Sequence, residues 1–222
     1  MKLHYMKSMN PRKCCATAKH LGLDVEYVPI DFTKGGLSAP EYLALNPNGR
    51  APVLEDEGRT IWESAAIMLH FALKARSSMW PANDPQRQVE VLRWISWDAS
   101  EFAPCTGTYY FENYIKPNLF GAPADQAAID AKTRRLHDSA RVLDNHLARH
   151  EFLAGRGLTI ADFIVAVLLP VATEIGLPLE GYTNVQRWHA QLMKIDAWRW
   201  PAEHRPWRHR RRCWWHWRRA DR

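Results

Sequence analysis

The chain has 222 residues, of which 46% are apolar and 24% are charged, so it can form one or two globular domains with a sizeable core. No apolar run approaches the roughly 20 residues of a membrane helix, and the charged start lacks the apolar stretch of a signal peptide, so we expect a cytoplasmic protein. The cysteines show no zinc-like spacing and no disulfide-scaffold pattern; they are Cys14, Cys15, Cys105 and Cys213.

The net charge of +6 is concentrated at the C-terminal end. Residues 204–222 hold eight arginines and one aspartate, a net charge of +7, which leaves −1 for residues 1–203. This segment mixes arginine with tryptophan without a usable period, so we expect a disordered basic tail. Two origins stay open: a GC-rich gene read out of frame, or a basic arm that contacts nucleic acid through arginines and stacked aromatics.

The first part of the chain alternates between strand and helix patterns. Strands are predicted at residues 2–6, 25–30, 51–54 and 59–61, and helices at residues 11–21, 41–45 and 63–76. An acidic turn ending in Gly58 separates the last two strands and predicts a hairpin, and Gly22 is a suitable end for the first helix. The predicted order is therefore β-α-β-α-β-β-α.

Strand patterns end after a proline-rich segment. Residues 77–84 are predicted as a linker, and four helical patterns follow at 86–114, 124–149, 159–174 and 184–195, with Pro104 as a candidate break in the first. The sequence thus predicts one domain over 1–76 and an all-α domain over 85–203, followed by the tail.

The most specific pattern runs from Asn46 to Phe71. A loop Asn-Pro-Asn-Gly-Arg leads into a strand headed by Pro52, and after the hairpin a helix begins at Glu63 and Ser64. We favour a cis bond before Pro52, since X-Pro bonds adopt cis at a cost of only about 0.5–1 kcal/mol. A helix start offers free N–H groups and a positive dipole to a carboxylate; simple capping is the alternative function of the Glu-Ser pair.

This arrangement, together with Gly22-Leu23 and Thr-Ile-Ala-Asp at residues 159–162, resembles the glutathione transferase family, in particular its bacterial, serine-type theta- and delta-like members. The resemblance implies an α+β chain, with an N-terminal thioredoxin-like domain and an all-α C-terminal domain, usually paired as a homodimer. It implies an enzyme of detoxification that uses glutathione as co-substrate and activates its thiol for attack on a hydrophobic electrophile.

The resemblance also implies roles for residues of the first domain. Arg50, Ala51, Pro52, Glu63 and Ser64 would bind glutathione. The Ala51 backbone, exposed by a cis Pro52, would pair with the cysteinyl backbone, Ser64 would hold the γ-glutamyl carboxylate, and Glu63 would accept from the neighbouring ammonium group. Arg50 would meet the glycine carboxylate, or is an exposed loop charge.

The thiol needs a hydrogen-bond donor between the first strand and the first helix. Ser8 is the main candidate for this catalytic role and Asn10 the reserve, with Tyr5 a weaker third choice because it lies within the predicted strand. A donor there stabilises the thiolate, whose free thiol has a pKa of about 8.5. Capping of the helix is the alternative role of Ser8.

The second domain would supply the electrophile pocket. Trp94, Trp97 and Glu101 recur at helical spacing and are candidate walls of the pocket, which Tyr109 would close. Packing in the core or at a dimer interface is the alternative. Asp98 is a candidate contact to glutathione across a dimer. Asp162 is expected to form a structural capping box with Thr159.

No metal site is predicted, since His146 and His150 lie four residues apart without a third ligand at a useful spacing. The rival hypothesis is a non-catalytic relative that binds or regulates a partner and contacts nucleic acid through the tail. Isomerase, dehalogenase and peroxidase activities use the same kind of site, so the sequence leaves them open together with the identity of the electrophile.

Overall fold

The computed structural model describes residues 1–199 and Pro201, so the predicted tail over 204–222 and the end of the predicted helical domain lie outside the described residues. The predicted order β-α-β-α-β-β-α is confirmed. Its elements are β1 (Lys2–Tyr5), α1 (Met9–His20), β2 (Glu26–Pro29), α2 (Pro40–Leu45), β3 (Val53–Asp56), β4 (Arg59–Trp62) and α3 (Ser64–Lys74).

The four strands form one mixed sheet in the order β2-β1-β3-β4. β1 runs parallel to β2, while β3 runs antiparallel to β1 and β4. Leu3 and Leu54 face each other across the centre and are fully buried. The sheet therefore has an apolar centre, against which α1 and α3 pack as a pair.

The predicted hairpin between β3 and β4 is confirmed as a two-residue turn. Glu57 and Gly58 both have positive φ, at 51° and 75°. Turns of this kind match the twist of the flanking strands, and glycine adopts positive φ without a steric cost. The acidic residues and the glycine were thus a sufficient signal for this turn.

A nearly continuous helix opens the second half: α4 (Pro85–Trp97), α5 (Ala103–Tyr110) and α6 (Lys116–Phe120), joined by π-helical turns at Asp98–Phe102 and Phe111–Ile115. The expected break at Pro104 and the expected end at residue 114 are both wrong. Each π turn lies just before a proline, Pro104 or Pro117, which has no N–H to donate. The wider turn shifts the hydrogen bonding by one residue, so the helix continues to Phe120.

The remaining helices are α7 (Gln126–Leu147), α8 (Ile160–Val165), α9 (Thr183–Leu192) and α10 (Asp196–Arg199). The expected helix over residues 159–174 is wrong in length, because α8 ends at Val165. Pro170 cannot donate a backbone hydrogen bond, and the chain forms only a short 3₁₀ turn at Leu169–Val171.

Helix α8 joins the two halves of the chain. All six of its residues are buried, and it packs against α1, α3 and α4. Helix α8 therefore contacts both helices of the first half that begin at the predicted site, α1 and α3. Within residues 1–199, none of the helices combines the length and apolar composition that a membrane crossing requires.

Candidate functional site

Three features predicted for binding lie at one end of the sheet. The register pairs His4 with Val53 and Val53 with Trp62, so the end of β1, the start of β3 and the end of β4 are neighbours. Ser8 follows β1, Ala51 precedes β3, and Glu63 follows β4. The sheet topology thus brings together residues that are 55 positions apart in sequence.

The Ala51–Pro52 peptide bond is cis, as the sequence pattern predicted. Pro52 is buried, whereas Ala51 is partly accessible. In the part of the chain that the structure describes, the N–H and C=O of Ala51 form no hydrogen bond. This backbone is therefore available to pair with an extended peptide, in the way that an added strand pairs with a sheet edge.

Two side chains fix the residue before Ala51. The Tyr42 hydroxyl and the Asn46 amide both donate to the Arg50 carbonyl, at 2.8 Å and 2.7 Å. Asn46 Oδ1 also accepts from the Asn48 N–H at 3.0 Å, which closes the loop. The sequence interpretation missed Tyr42 as a support, because its partner is a carbonyl eight residues away on an irregular loop.

Helix α3 begins at Ser64 without a side-chain cap. Glu63, at the N-cap position, has φ 70° and ψ 118°, and its side chain is exposed and makes no capping hydrogen bond. A non-glycine residue with φ in this range costs free energy and is found most often at functional sites. The N–H groups of the first turn are thus left for a bound acceptor, which favours the predicted carboxylate at Ser64.

Helix α1 also begins without a side-chain cap. Ser8 occupies its N-cap position, is partly buried, and makes no capping hydrogen bond through its hydroxyl. The alternative interpretation of Ser8 as a simple cap is therefore not favoured by the geometry. Asn10 lies in the first turn and is exposed. Both candidate thiol donors are thus placed at the same helix start.

The two adjacent cysteines are packed in the core, as the sequence analysis preferred. Cys14 and Cys15 are buried, and Cys14 Sγ lies 3.5 Å from the Ser64 carbonyl, to which it donates. Burial raises the pKa of the Cys15 thiol to about 12 and raises that of Cys14 as well. Neither thiol is a thiolate at neutral pH, so neither supplies a nucleophile.

Two buried charged residues line the junction between the halves. Lys13 of α1 is 7% exposed and Asp98 of the first π turn is 6% exposed. Burial lowers the pKa of Lys13, and the Asp98 charge opposes this; burial raises the pKa of Asp98 to about 7, and Lys13 opposes that. Asp98 is thus buried within its own chain, which disfavours the expected contact across a dimer. Sequence periodicity did not reveal the burial of Lys13.

Trp94 and Trp97 lie in aromatic packing contacts. Trp94 is 4% exposed and lies edge-on to Trp97, with ring centroids 5.1 Å apart, and against His146 at 4.6 Å. Trp97 stacks on Phe102 at 5.6 Å. These contacts agree with the core-packing alternative for Trp94, and a role for Trp97 in an electrophile pocket stays a prediction.

Glu101 and Tyr109 are engaged with helix α7. Glu101 forms an ion pair with Arg135, whose guanidinium donates to it at 2.8 Å, and the Tyr109 hydroxyl is bonded to Thr133 at 2.8 Å. Tyr109 is buried, whereas Glu101 is partly accessible. Their assignment to an electrophile pocket also stays a prediction.

His146 and His150 stack on each other, with ring centroids 4.1 Å apart. His146 faces the Leu153 carbonyl at 3.0 Å, and His150 faces the His146 carbonyl at 2.9 Å. Within the described residues, no three His, Cys, Asp or Glu side chains are grouped so that they could hold a metal ion.

Sequence comparisons match both halves of the chain. The family model "Glutathione S-transferase, N-terminal domain" matches residues 1–72, and "Glutathione S-transferase, C-terminal domain" matches residues 102–196. Among curated proteins, "Probable glutathione S-transferase GSTF2" of Oryza sativa subsp. japonica is 30% identical, over 84% of this chain and 87% of the relative. "Glutathione S-transferase 3" of Zea mays is 35% identical, over 82% of each chain.

Solved structures give the same result. A glutathione S-transferase I bound with lactoylglutathione superposes with a TM-score of 0.83 at 26% identity, covering 89% of this chain and 96% of that one. Maize glutathione S-transferase I in complex with an atrazine glutathione conjugate superposes with a TM-score of 0.80 at 27% identity, covering 88% and 93% of the two chains.

Proposed function

Because the chain belongs to the glutathione S-transferase family, we propose that it is an enzyme that activates the thiol of glutathione and transfers it to an electrophilic small molecule. One observation carries the proposal: an unpaired cis Ala51–Pro52 backbone and two helix starts without side-chain caps meet at one end of the sheet. Together they offer a strand edge and two positive helix ends to a peptide that carries carboxylates and a thiol.

Each part of glutathione has a matching group. The Ala51 backbone pairs with the cysteinyl residue, and the first turn of α3 with Ser64 accepts the γ-glutamyl carboxylate. The exposed Glu63 carboxylate accepts from the γ-glutamyl ammonium, and the exposed Arg50 guanidinium attracts the glycine carboxylate. The tripeptide is thereby oriented with its thiol toward α1.

The start of α1 supplies the chemistry. The Ser8 hydroxyl donates a hydrogen bond to the sulfur, and the positive dipole of α1 favours the thiolate over the thiol. The thiol proton passes to solvent, and the thiolate attacks the electrophilic carbon; in an aryl halide the new C–S bond replaces the carbon–halogen bond and halide ion leaves. A hydrogen-bond donor to a developing negative charge raises the rate constant by a factor on the order of 10²–10³ in comparable sites. Asn10 in the same turn is the alternative donor.

The subclass and the assembly belong to the same proposal. The curated relatives are plant transferases of the phi class, which favours that class over the bacterial, serine-type theta- or delta-like member indicated by the sequence pattern. We infer a homodimer, since family members commonly pair and large apolar side chains are exposed on successive elements: Trp62 on β4, Leu73 on α3, and Val89 and Leu92 on α4. A cytoplasmic location remains part of the proposal.

The test measures binding and turnover together. The purified chain should be retained on immobilised glutathione and should conjugate a general aryl halide. Ser8→Ala should lower turnover by about 100-fold and leave glutathione affinity unchanged, because it removes a donor that acts on the thiolate. Asn10→Ala is the matched variant in the same turn. Full activity in Ser8→Ala with loss in Asn10→Ala would transfer the role, and absence of binding by the unmodified chain would remove the function.

A further inference from the structure

A buried arginine connects helix α1 to the last helix that the structure describes. Arg12 of α1 is 7% exposed, and its guanidinium donates to the Trp198 carbonyl of α10 at 2.5 Å. The same guanidinium lies over the Trp198 ring, with Cζ 4.2 Å from the ring centroid. Burial lowers the pKa of Arg12 to about 10, so the group stays charged at neutral pH, and both contacts are those of a cation.

Trp198 is itself fixed in the core. Its side chain is fully buried and stacks on Phe163 of α8, with ring centroids 4.5 Å apart. Phe163 in turn lies edge-on to His20, the last residue of α1, at 6.0 Å. Helix α1 therefore contacts this pair of rings at two places, through Arg12 near its start and through His20 at its end.

Arg12 is also bonded to the residue that precedes α1. The Arg12 N–H donates to the Ser8 carbonyl at 3.1 Å, which closes the first turn of the helix. The Ser8 side chain adds no capping hydrogen bond to this turn. One main-chain bond and one side-chain bond thus connect Ser8 to Trp198 through Arg12.

The chemistry of arginine suits a part that must be held in one orientation. Burial of a cation costs solvation free energy, which an apolar side chain of similar size would not lose. A planar guanidinium, however, can donate to a carbonyl and lie on a ring at once, and these two demands together fix its direction. A hydrogen-bond donor to a reacting atom has to be held to within about 0.5 Å. The first turn of α1 carries both candidate donors, Ser8 and Asn10.

We propose that Arg12 is a positioning residue for the activation of the glutathione thiol: by joining the first turn of α1 to Trp198, it holds the donor of that turn, Ser8 or its alternative Asn10, where the sulfur binds. This inference rests on the proposed glutathione function. Arg12 acts through the donor and not by contact with the sulfur. Helix α10, at the opposite end of the described residues, thereby becomes part of the catalytic arrangement.

The first measurement separates rate from binding. Arg12→Met removes the guanidinium and keeps an unbranched side chain. It should lower kcat for an aryl halide, per folded molecule, by about tenfold, because a displaced donor stabilises the thiolate less well. The dissociation constant of glutathione, measured by calorimetry, should change by less than about twofold, since the groups proposed to bind the peptide lie before β3 and at the start of α3.

A double-mutant cycle tests whether Arg12 acts through the donor. In the Ser8→Ala background, Arg12→Met should lower kcat by less than about twofold, because no hydroxyl is left to position. A tenfold loss that persists in this background would overturn the inference, since a charge acting directly on the thiolate, or a general loosening of the fold, does not require Ser8. If Asn10→Ala and not Ser8→Ala lowers turnover, Asn10→Ala provides the background of the cycle.

A second variant keeps the cycle usable if Arg12→Met does not fold. Arg12→Lys retains the charge but not the planar group that both donates and stacks. It should lower kcat by about threefold, again only where the donor is present. Full activity in Arg12→Lys would overturn the inference, because the charge alone would then be sufficient.

Two matched controls separate this role from general stability. Trp198→Phe keeps a ring and the carbonyl, and it removes an indole N–H that has no partner among the described residues, so kcat should stay within about twofold. Arg187→Met removes a guanidinium of α9 that donates to the Leu147 carbonyl at 2.6 Å, and it should lower stability to urea without lowering kcat per folded molecule.

Equal losses of kcat in Arg187→Met and Arg12→Met, or no loss in Arg12→Met, would overturn the inference. Failure of the unmodified chain to bind glutathione or to conjugate the aryl halide would instead overturn the proposed function, and this inference with it.

Discussion

The helix starts in the two halves of the chain are completed in different ways. In the helical half, Asp84 accepts from the Arg87 N–H at the start of α4, and Asp125 accepts from the Ala128 N–H at the start of α7. In the first half, Ser8 at α1 and Glu63 at α3 accept no such bond. Every helix start presents unpaired N–H groups, so the difference lies in what satisfies them.

Helix α8 is the clearest contrast to α3. Asp162 is fully buried and accepts from four donors: the Thr159 N–H and hydroxyl at 2.8 Å and 3.0 Å, the Leu153 N–H at 3.0 Å and the Trp188 indole at 3.1 Å. The predicted capping box is thus confirmed, and it extends to two residues outside the box. At α8 the protein satisfies its own donors, whereas at α3 it leaves them for a ligand.

The largest expected effect tests the start of α8, where the protein satisfies the N–H donors with its own side chains. Asp162→Ala should lower the free energy of unfolding by about 3–5 kcal/mol, because several buried donors lose their acceptor at once. The measurement is urea-induced unfolding followed by circular dichroism. The molecules that remain folded should bind glutathione with unchanged affinity, since Asp162 does not contact the proposed site.

The matched control is Asp138→Ala on α7. Asp138 pairs with Arg141 at 3.1 Å on the surface, with 57% of its side chain exposed. Exposed pairs of this kind contribute about 0.2–1 kcal/mol. A loss in Asp162→Ala no larger than that in Asp138→Ala would contradict the claim that α8 depends on its internal cap.

The same contrast explains how far the sequence could predict the molecule. The order of strands and helices, the hairpin turn, the cis bond at Pro52 and the Thr159–Asp162 box depend on near neighbours in the chain, and each was predicted. Lys13 is buried, and the charged residue that most raises its pKa is Asp98, on a π turn 85 positions later in the chain. No local pattern encodes burial or a relation at that separation, so the sequence contained no sign that Lys13 differs from other helix residues.

Two predicted helix lengths were wrong for a related reason. Proline is normally absent from helix interiors, and Pro170 follows this rule, since it lies in a 3₁₀ turn after the end of α8. It failed at Pro104 and Pro117, because a π turn before each proline removes the need for its N–H. In both cases the apolar periodicity of the sequence predicted the wrong helix length after α8 and after α5.

A second prediction concerns acid. His189 on α9 has a buried Nε2 without a partner among the described residues, and burial, helped by the Arg12 charge, lowers its pKa from 6.5 to about 4. Since the unfolded chain takes up this proton first, the contribution of His189 to stability is present above pH 6.5 and is lost as the pH falls toward 4. The loss should be about 2–3 kcal/mol.

The measurement compares the unmodified chain with His189→Gln by urea unfolding at pH 7 and at pH 4.5. The unmodified chain should lose more stability than the variant, and the difference isolates this one group. In neither protein should the glutathione affinity of the folded molecules show the pH dependence expected for stability. Equal acid sensitivity of the two proteins would show that the helical half does not hold His189 as a neutral, desolvated group.

A smaller effect is expected at the start of α3, where the N–H groups have no side-chain cap. Ser64→Ala should lower glutathione affinity by about tenfold, because one hydrogen bond to a charged carboxylate is lost. The free energy of unfolding should change by less than about 0.5 kcal/mol, since the Ser64 hydroxyl forms no hydrogen bond with the residues that the structure describes. Calorimetry gives the affinity and urea unfolding gives the stability of the same preparation.

Asp84→Ala and Asp125→Ala are the reciprocal variants. Each removes an observed cap and should lower stability by about 1 kcal/mol while leaving glutathione affinity unchanged. The two kinds of helix start would then exchange their effects: affinity without stability at α3, and stability without affinity at α4 and α7. A Ser64→Ala variant that loses stability like the Asp variants would mean that α3 is capped by its own side chain in solution, and the distinction between open and closed starts would no longer hold.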